Sequence, residues 1–200
     1  MIEVEKKVFL EKKQLDYIEN NATFINKKVF RDTYYDDEKY SLTLQNYWLR
    51  KRENRFELKR GITKRNEKID RFEEIVDDEE IKSILNLTQD QSLENGLRLS
   101  KLLPFCSFET VRTKYKIDNI FIDIDHAQFE NLQYMLAEFE IMVSLKEDIK
   151  KAEKRVEDFM ISLNMDYNKT VLGKLIFFLK EKRKEHFDAL VKNNVIKTDC

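Results

Sequence analysis

Ile2-Glu3-Val4-Glu5-Lys6-Lys7-Val8, near the start of the chain, decides how the rest is read. In an extended strand, side chains at i, i+2 and i+4 share one face. Glu3, Glu5 and Lys7 therefore point one way, and Ile2, Val4 and Val8 point the other. One such strand, alone, is a half-solvated sheet with its charges to water. Its meaning depends on whether other strands repeat the pattern.

They do. Asp123 and Asp125 share a face opposite Ile122 and Ile124, and Glu138 and Glu140 a face opposite Phe139 and Ile141. Trp48, Arg50 and Arg52 lie together, as do Arg55, Glu57 and Lys59, and Arg112 and Lys114. Acids cluster with acids and bases with bases, whereas solvated faces intersperse the signs with Thr, Ser and Gln. The strand candidates are Ile2–Leu10, Val29–Tyr35, Ser41–Arg52, Arg55–Gly61, Lys68–Ile75, Phe108–Lys116, Ile120–Asp125 and Tyr134–Val143. Glu53-Asn54 and Asp118-Asn119 read as hairpin turns.

Helix candidates are Glu11–Asn20, Asp78–Leu87, Ser92–Leu103, Lys146–Asn164 and Lys174–Val191. In the fourth, Ile149, Ala152, Val156, Phe159, Met160 and Leu163 line one face at helical spacing. Pro104 reads as the stop of the third. Amphipathic helices can cover the apolar strand faces from outside while the charged faces turn inward. The expected fold is α+β: a closed eight-stranded antiparallel β-barrel with a charged lumen and helices packed around it.

The remaining composition sets limits. The 200 residues suffice for a single domain over 1–200, with no linker or repeat to divide it. A hydrophobic share of 42% rules out a wholly disordered chain, and a net charge of −1 argues against nucleic-acid coating by bulk charge. Three glycines leave little material for Gly-rich phosphate loops; Gly173-Lys174 is not one, since Asn168 stands where the first glycine belongs. No run approaches the roughly 20 apolar residues of a membrane span, and Glu3, Glu5, Lys6 and Lys7 sit where a secretory apolar core would begin. Cys106 and Cys200 form no disulfide framework, and His126 and His186 no zinc set. A cytoplasmic, monomeric protein with no membrane or nucleic-acid partner is expected.

Buried charges must be paired or bind ions. Close acid pairs repel, which a divalent cation relieves, while convergent Arg and Lys suit phosphate oxygens. Carboxylates favouring Mg²⁺ beside bases favouring phosphate describe a metal–polyphosphate site.

Those residues resemble the CYTH superfamily of triphosphate tunnel metalloenzymes, whose signature is matched by Glu3-x-Glu5-x-Lys7. The likeness runs in order through Phe30-Arg-Asp-Thr-Tyr-Tyr-Asp36, Tyr47-Trp-Leu-Arg-Lys-Arg-Glu53, Glu57-Leu-Lys59, Phe72-Glu-Glu74, Ile122-Asp-Ile-Asp125, Glu138-Phe-Glu140 and Leu172-Gly-Lys-Leu175, and is strongest to the thiamine triphosphatase branch. The resemblance implies a tunnel holding a triphosphate and Mg²⁺, and hydrolysis of thiamine triphosphate to thiamine diphosphate and phosphate. It implies that Lys7, Arg50, Arg52, Lys59 and Lys174 grip phosphate, and that Glu3, Glu5, Asp123, Asp125, Glu138 and Glu140 hold metal or orient those bases, with Glu74 supporting. Lys59 and Tyr34 match the pair that activates water, and Trp48 the aromatic that stacks on thiamine. Tyr115 falls where the family carries an arginine, so Arg112 or Lys114 supplies that charge.

Each residue has a plainer reading: Trp48 as rim packing, Tyr34 as a strand-former, Lys180–Glu185 as a solvated helix face. The same tunnel suits inorganic tripolyphosphate, RNA 5′-triphosphates, adenylyl cyclisation, or a silent polyphosphate- or nucleotide-binding module.

Overall fold

The structure, a computed structural model, describes residues 1–62 and 69–196. Its strands are β1 (Ile2–Val8), β2 (Thr23–Asp36), β3 (Tyr47–Arg52), β4 (Arg55–Gly61), β5 (Asp70–Ile75), β6 (Leu103–Ile117), β7 (Ile120–Phe129) and β8 (Leu132–Val143). Its helices are α1 (Lys12–Asn21), α2 (Asp78–Ile84), α3 (Leu93–Leu99), α4 (Ile149–Ser162), α5 (Lys174–Lys182) and α6 (Lys184–Lys192). The strands close into an antiparallel barrel in the order β1-β5-β4-β3-β2-β6-β7-β8. The charged faces turn inward, as the alternation requires: Glu5 is 2% exposed, and Asp123 and Asp125 are fully buried.

The opposite faces are roofed by helices. α1 and α4 lay Ile18, Val156 and Met160 over Val4, Ile122, Phe139 and Ile141. α2 and α3 bring Ile81, Leu93 and Leu97 onto Leu49, Phe56 and Leu58. Removing this much apolar surface from water is the main stabilising term, and it leaves the polar faces no exit but the lumen.

The lumen is not charged along its whole length. Cys106, Phe108, Ala127 and Phe129 share the inward parity of Arg112 and Asp125, yet they form an apolar cluster with Tyr34 and with Leu175, Leu179, Phe187 and Leu190 of α5 and α6. The last two helices thus close one end of the barrel with hydrocarbon, and the polar tunnel stops there.

Several boundaries differ from the sequence reading. Ser41–Arg52 is strand only from Tyr47; Thr43–Gln45 form a 3-10 turn ended by Asn46 at φ 62°. Strands β2 and β6 run well past their expected ends, held by pairing along the ladder from Thr23↔Lys116 to Asp36↔Leu103, and β7 is extended by its pairing with β6 and β8. Pro104 does not stop α3. It is the second residue of β6, opposite Tyr35 beside a register shift, where its missing N–H is tolerated. α3 ends instead because Lys101 turns left-handed at φ 58° and Leu102 N–H reaches back to the Leu97 carbonyl. The Lys174–Val191 helix is broken at Arg183 into α5 and α6. Lys68, the expected start of the fifth strand, and Cys200 lie outside the described residues.

Candidate active site

A cavity of about 890 Å³ occupies the polar part of the barrel. It is lined by Glu3, Glu5, Lys7, Tyr34, Trp48, Arg50, Arg52, Lys59, Glu74, Arg112, Glu138, Glu140 and Lys174. Strand parity places all of these except Lys174, which the first turn of α5 delivers through the plugged end. That approach is held by Tyr134, whose hydroxyl donates to the Leu172 carbonyl at 2.8 Å and whose ring stacks on Phe177.

The walls are sorted by partner. On the β6–β8 side, Arg112 forks onto Asp125 at 2.7 and 2.6 Å, reaches Glu138 at 2.9 Å and also touches Asp123. Lys174 bridges Asp125 and Glu138. Burial pushes both acids up, but Lys174 and Arg112 outweigh it, so Asp125 is held below the usual carboxylate range and Glu138 well below. Lys114 pairs with Asp123 and Glu140, each at 2.8 Å. Of the two candidates for the displaced family arginine, Arg112 is the one that lines the cavity. Lys114, Asp123 and Asp125 face inward but lie behind the cavity surface.

On the β1–β5 side, Lys59 donates to Glu3 and stands 3.6 Å from Glu5; Lys7 bonds Glu5 and, at 2.8 Å, Asp70. Burial lowers the pKa of Lys59 and Arg50 adds to that, but Glu3 and Glu5 win, and the pKa is raised. Lys59 is thus an ammonium in this arrangement, a source of positive charge rather than a base. Arg50 holds Glu57 at 2.6 Å and Glu74 at 3.5 Å. Tyr34 sits opposite Arg50 across the β2–β3 ladder and stacks on Phe108; among the described residues no hydrogen bond joins it to Lys59.

Four participants were missed in the sequence. Asp32, fully buried, takes both arms of the Arg52 fork at 2.7 and 2.8 Å, while Phe30 lies 4.1 Å under the guanidinium. Asp70 anchors Lys7, and Phe72 lies within cation–π range of Lys7 and Lys59. The shared parity of Phe30, Asp32 and Tyr34 was the available signal.

Glu3, Glu5 and Asp123 are all raised, burial being the largest cause, and Glu140 adds its repulsion at Glu3. Glu5 Oε2 is buried with no hydrogen-bond donor. Among the described residues no three His, Cys, Asp or Glu side chains are gathered as a metal cluster; each lumen acid leans on a base instead. Yet Glu5 Oε2 is left without a donor beside Glu3 and Glu140, and an oxygen-only set is the chemistry a hard divalent cation takes, so these three glutamates fit one.

A family pattern, the CYTH domain, matches residues 1–171. The chain belongs to the CYTH domain family. Its closed eight-stranded tunnel agrees with that membership, which supports triphosphate processing in this lumen. Among solved structures, the PH1819 protein of Pyrococcus horikoshii superposes with a TM-score of 0.63 at 18% identity, over 90% of this chain and 99% of that one. A candidate adenylate cyclase from Vibrio parahaemolyticus gives 0.59 at 16%, over 94% and 98%. HpAC1 from Hippeastrum, described as a candidate adenylyl cyclase with a dominant triphosphatase activity, gives 0.54 at 15%, over 90% and 96%. At these identities the likeness is one of fold. The CYTH match stops before α5 and α6, so Lys174 and the barrel plug lie beyond it. Among the described residues no helix is long and apolar enough to cross a membrane.

Proposed function

We propose that the protein is a Mg²⁺-dependent hydrolase that removes the terminal phosphate of thiamine triphosphate. The observation that carries this reading is the single cavity joining a ring of cations (Lys7, Arg50, Arg52, Lys59, Arg112 and Lys174) to one tryptophan, Trp48. Phosphoryl transfer needs positioning and charge neutralisation more than covalent chemistry, and guanidinium forks in a lumen shielded from water provide both. Arg50, Arg52 and Arg112 grip the phosphate oxygens in geometries already set by Glu57, Asp32 and Asp125. Lys59 places its ammonium against the charge that grows on the transferred group, and Tyr34, beside Arg50, orients the attacking water. Glu3, Glu5 and Glu140 would hold Mg²⁺, which when bound would supply further neutralisation of the phosphates.

Trp48 suits a cationic ring, whose charge is attracted to an indole face. Its Nε1 donates to Asn46 Oδ1 at 2.7 Å, which fixes the ring plane. Gly61 permits this: a Cβ there would fall 1.9 Å from the Asn46 amide. Hydrolysis rather than cyclisation is favoured by the triphosphatase activity described for the Hippeastrum relative.

The test is phosphate release from thiamine triphosphate, ATP and tripolyphosphate, with and without Mg²⁺. Metal-dependent release that is fastest from thiamine triphosphate supports the proposal. Faster release from tripolyphosphate replaces it with an inorganic triphosphatase, and tight binding without release replaces it with a binding module.

A further inference from the structure

The cavity is chemically divided. Besides charged side chains its lining includes Leu44, Asn46, Ile176 and the segment Asn193–Ile196, which follows α6, and Leu44, Trp48, Ile176, Val195 and Ile196 pack against one apolar cluster. No charged side chain belongs to that segment, whereas Lys7, Arg50, Arg52, Lys59, Arg112 and Lys174 all line the tunnel part of the same cavity. Bare triphosphate has no use for such a wall, because it offers no cations. A planar nitrogen heterocycle does, because its faces need apolar cover and its edge needs amides.

The segment is built in place rather than trailing. Asn194 turns left-handed at φ 56°, Val195 N–H bonds back to the Leu190 carbonyl, and Val195 and Ile196 pack against the plug of the barrel. Asn193 donates its side-chain N–H to the Ala189 carbonyl at 2.9 Å, which holds that side chain against the last turn of α6.

A buried clasp ties this wall to the one opposite. Asp36 accepts from the Leu42 and Thr43 N–H groups and, at 2.7 Å, from the Thr43 hydroxyl. With its proton committed to Asp36, the Thr43 oxygen accepts from His186 Nε2, also at 2.7 Å. His186 stacks on Tyr40 with ring centres 3.9 Å apart. The loop that leads to Asn46 and Trp48 is thereby fastened to α6, the helix that presents 193–196. None of these groups grips phosphate, and α6 lies outside the CYTH match.

We infer that Asn193–Ile196 form a specificity wall for the organic head of a triphosphate ester carrying a planar nitrogen heterocycle, and that Asp36, Thr43 and His186 are positioning residues that set its distance from Trp48. The inference deepens the proposed function and rests on the reading that the tunnel binds a triphosphate.

The experiment uses two variants of the full chain, Asn193→Ala/Ile196→Ala in the wall and Thr43→Val in the clasp, with circular dichroism confirming that each is folded. KM and kcat are measured for thiamine triphosphate, ATP and tripolyphosphate. Binding of thiamine and of tripolyphosphate is followed separately by quenching of Trp48, the chain's one tryptophan. Losing these contacts is expected to raise KM for the preferred organic triphosphate by about fivefold or more, with kcat and all tripolyphosphate values within about twofold. If the preferred ester is ATP and not the thiamine ester, the thiamine reading fails while the wall survives, provided the shift falls on ATP alone. Equal weakening of tripolyphosphate, or no change with any organic ligand in either variant, overturns the inference. If wild-type protein neither binds nor hydrolyses any of the three triphosphates, the tunnel reading falls and the wall falls with it.

Discussion

Replacing Arg112 by methionine isolates the charge balance of the lumen from its packing. Methionine keeps the length and apolar stem but leaves Asp125 and Glu138 with Lys174 alone, and Asp123 with Lys114 alone. Asp123 and Asp125 have no access to water. Removing one partner from a buried ion pair typically destabilises by about 3–5 kcal/mol, and a 200-residue domain commonly has about 5–15 kcal/mol in hand. Arg112→Met should therefore fold at neutral pH with a urea midpoint well below wild type.

The pH dependence carries the diagnosis. Asp125 and Glu138 are depressed in the wild-type fold, so their contribution is present above the ordinary carboxylate range and is lost as pH falls from that range through their lower folded values. In the variant their pKa values rise, and the folded state takes up protons earlier. The wild-type-minus-variant gap should thus be widest near neutrality and narrow toward about pH 4.5. Urea unfolding at about pH 7, 6, 5 and 4.5 measures it. A gap under about 1 kcal/mol at pH 7, or one of constant size across the series, would show that Arg112 does not compensate those acids.

Arg50→Ala should mainly raise KM for the triphosphate, since Arg50 is a fork already oriented by Glu57, whereas Lys59→Ala should lower kcat more than it raises KM; unchanged turnover in the second variant removes Lys59 from the chemistry. His186 is lowered to about 4 by burial, with Arg183 adding to the effect, so it folds neutral. Stability from this residue is complete above about pH 6.5 and declines as pH falls through about 4, by at most roughly 3 kcal/mol. His186→Phe should flatten that part of the acid unfolding curve, and an unaltered curve refutes the assignment. Lys101 sits at φ 58° where a side chain is strained, and Lys101→Gly should raise stability by about 1 kcal/mol in thermal unfolding; a fall in melting temperature counts against strain there.

The barrel was legible because strand parity is local. Glu3/Glu5, Asp123/Asp125 and Glu138/Glu140 each announced an inward face within three residues of chain, and closure followed from the lack of any other place for those charges. Turns at Glu53 and Asp118 were equally local. Strand lengths were not: Thr23–Val29 carries Asn26, Lys27 and Lys28 and looks poorly suited to a sheet, but its ladder to Arg112–Lys116 extends it regardless. Helix ends were obscured because the left-handed positions Asn86, Lys101, Asn164 and Asn194 are filled without glycine.

Sequence alone determined which side chains face inward, the antiparallel class of the sheet and the resemblance to triphosphate tunnel enzymes, because alternation and motif order are properties of neighbouring residues. Tertiary structure decided which acid each base faces, that Asp32 and Asp70 belong to the site, that Glu3 and Glu5 raise rather than spare the pKa of Lys59, and that α5 and α6 turn one end of the tunnel into hydrocarbon. Coulombic partnership and burial depend on distances across strands far apart in the chain, and no spacing along the chain encodes those distances.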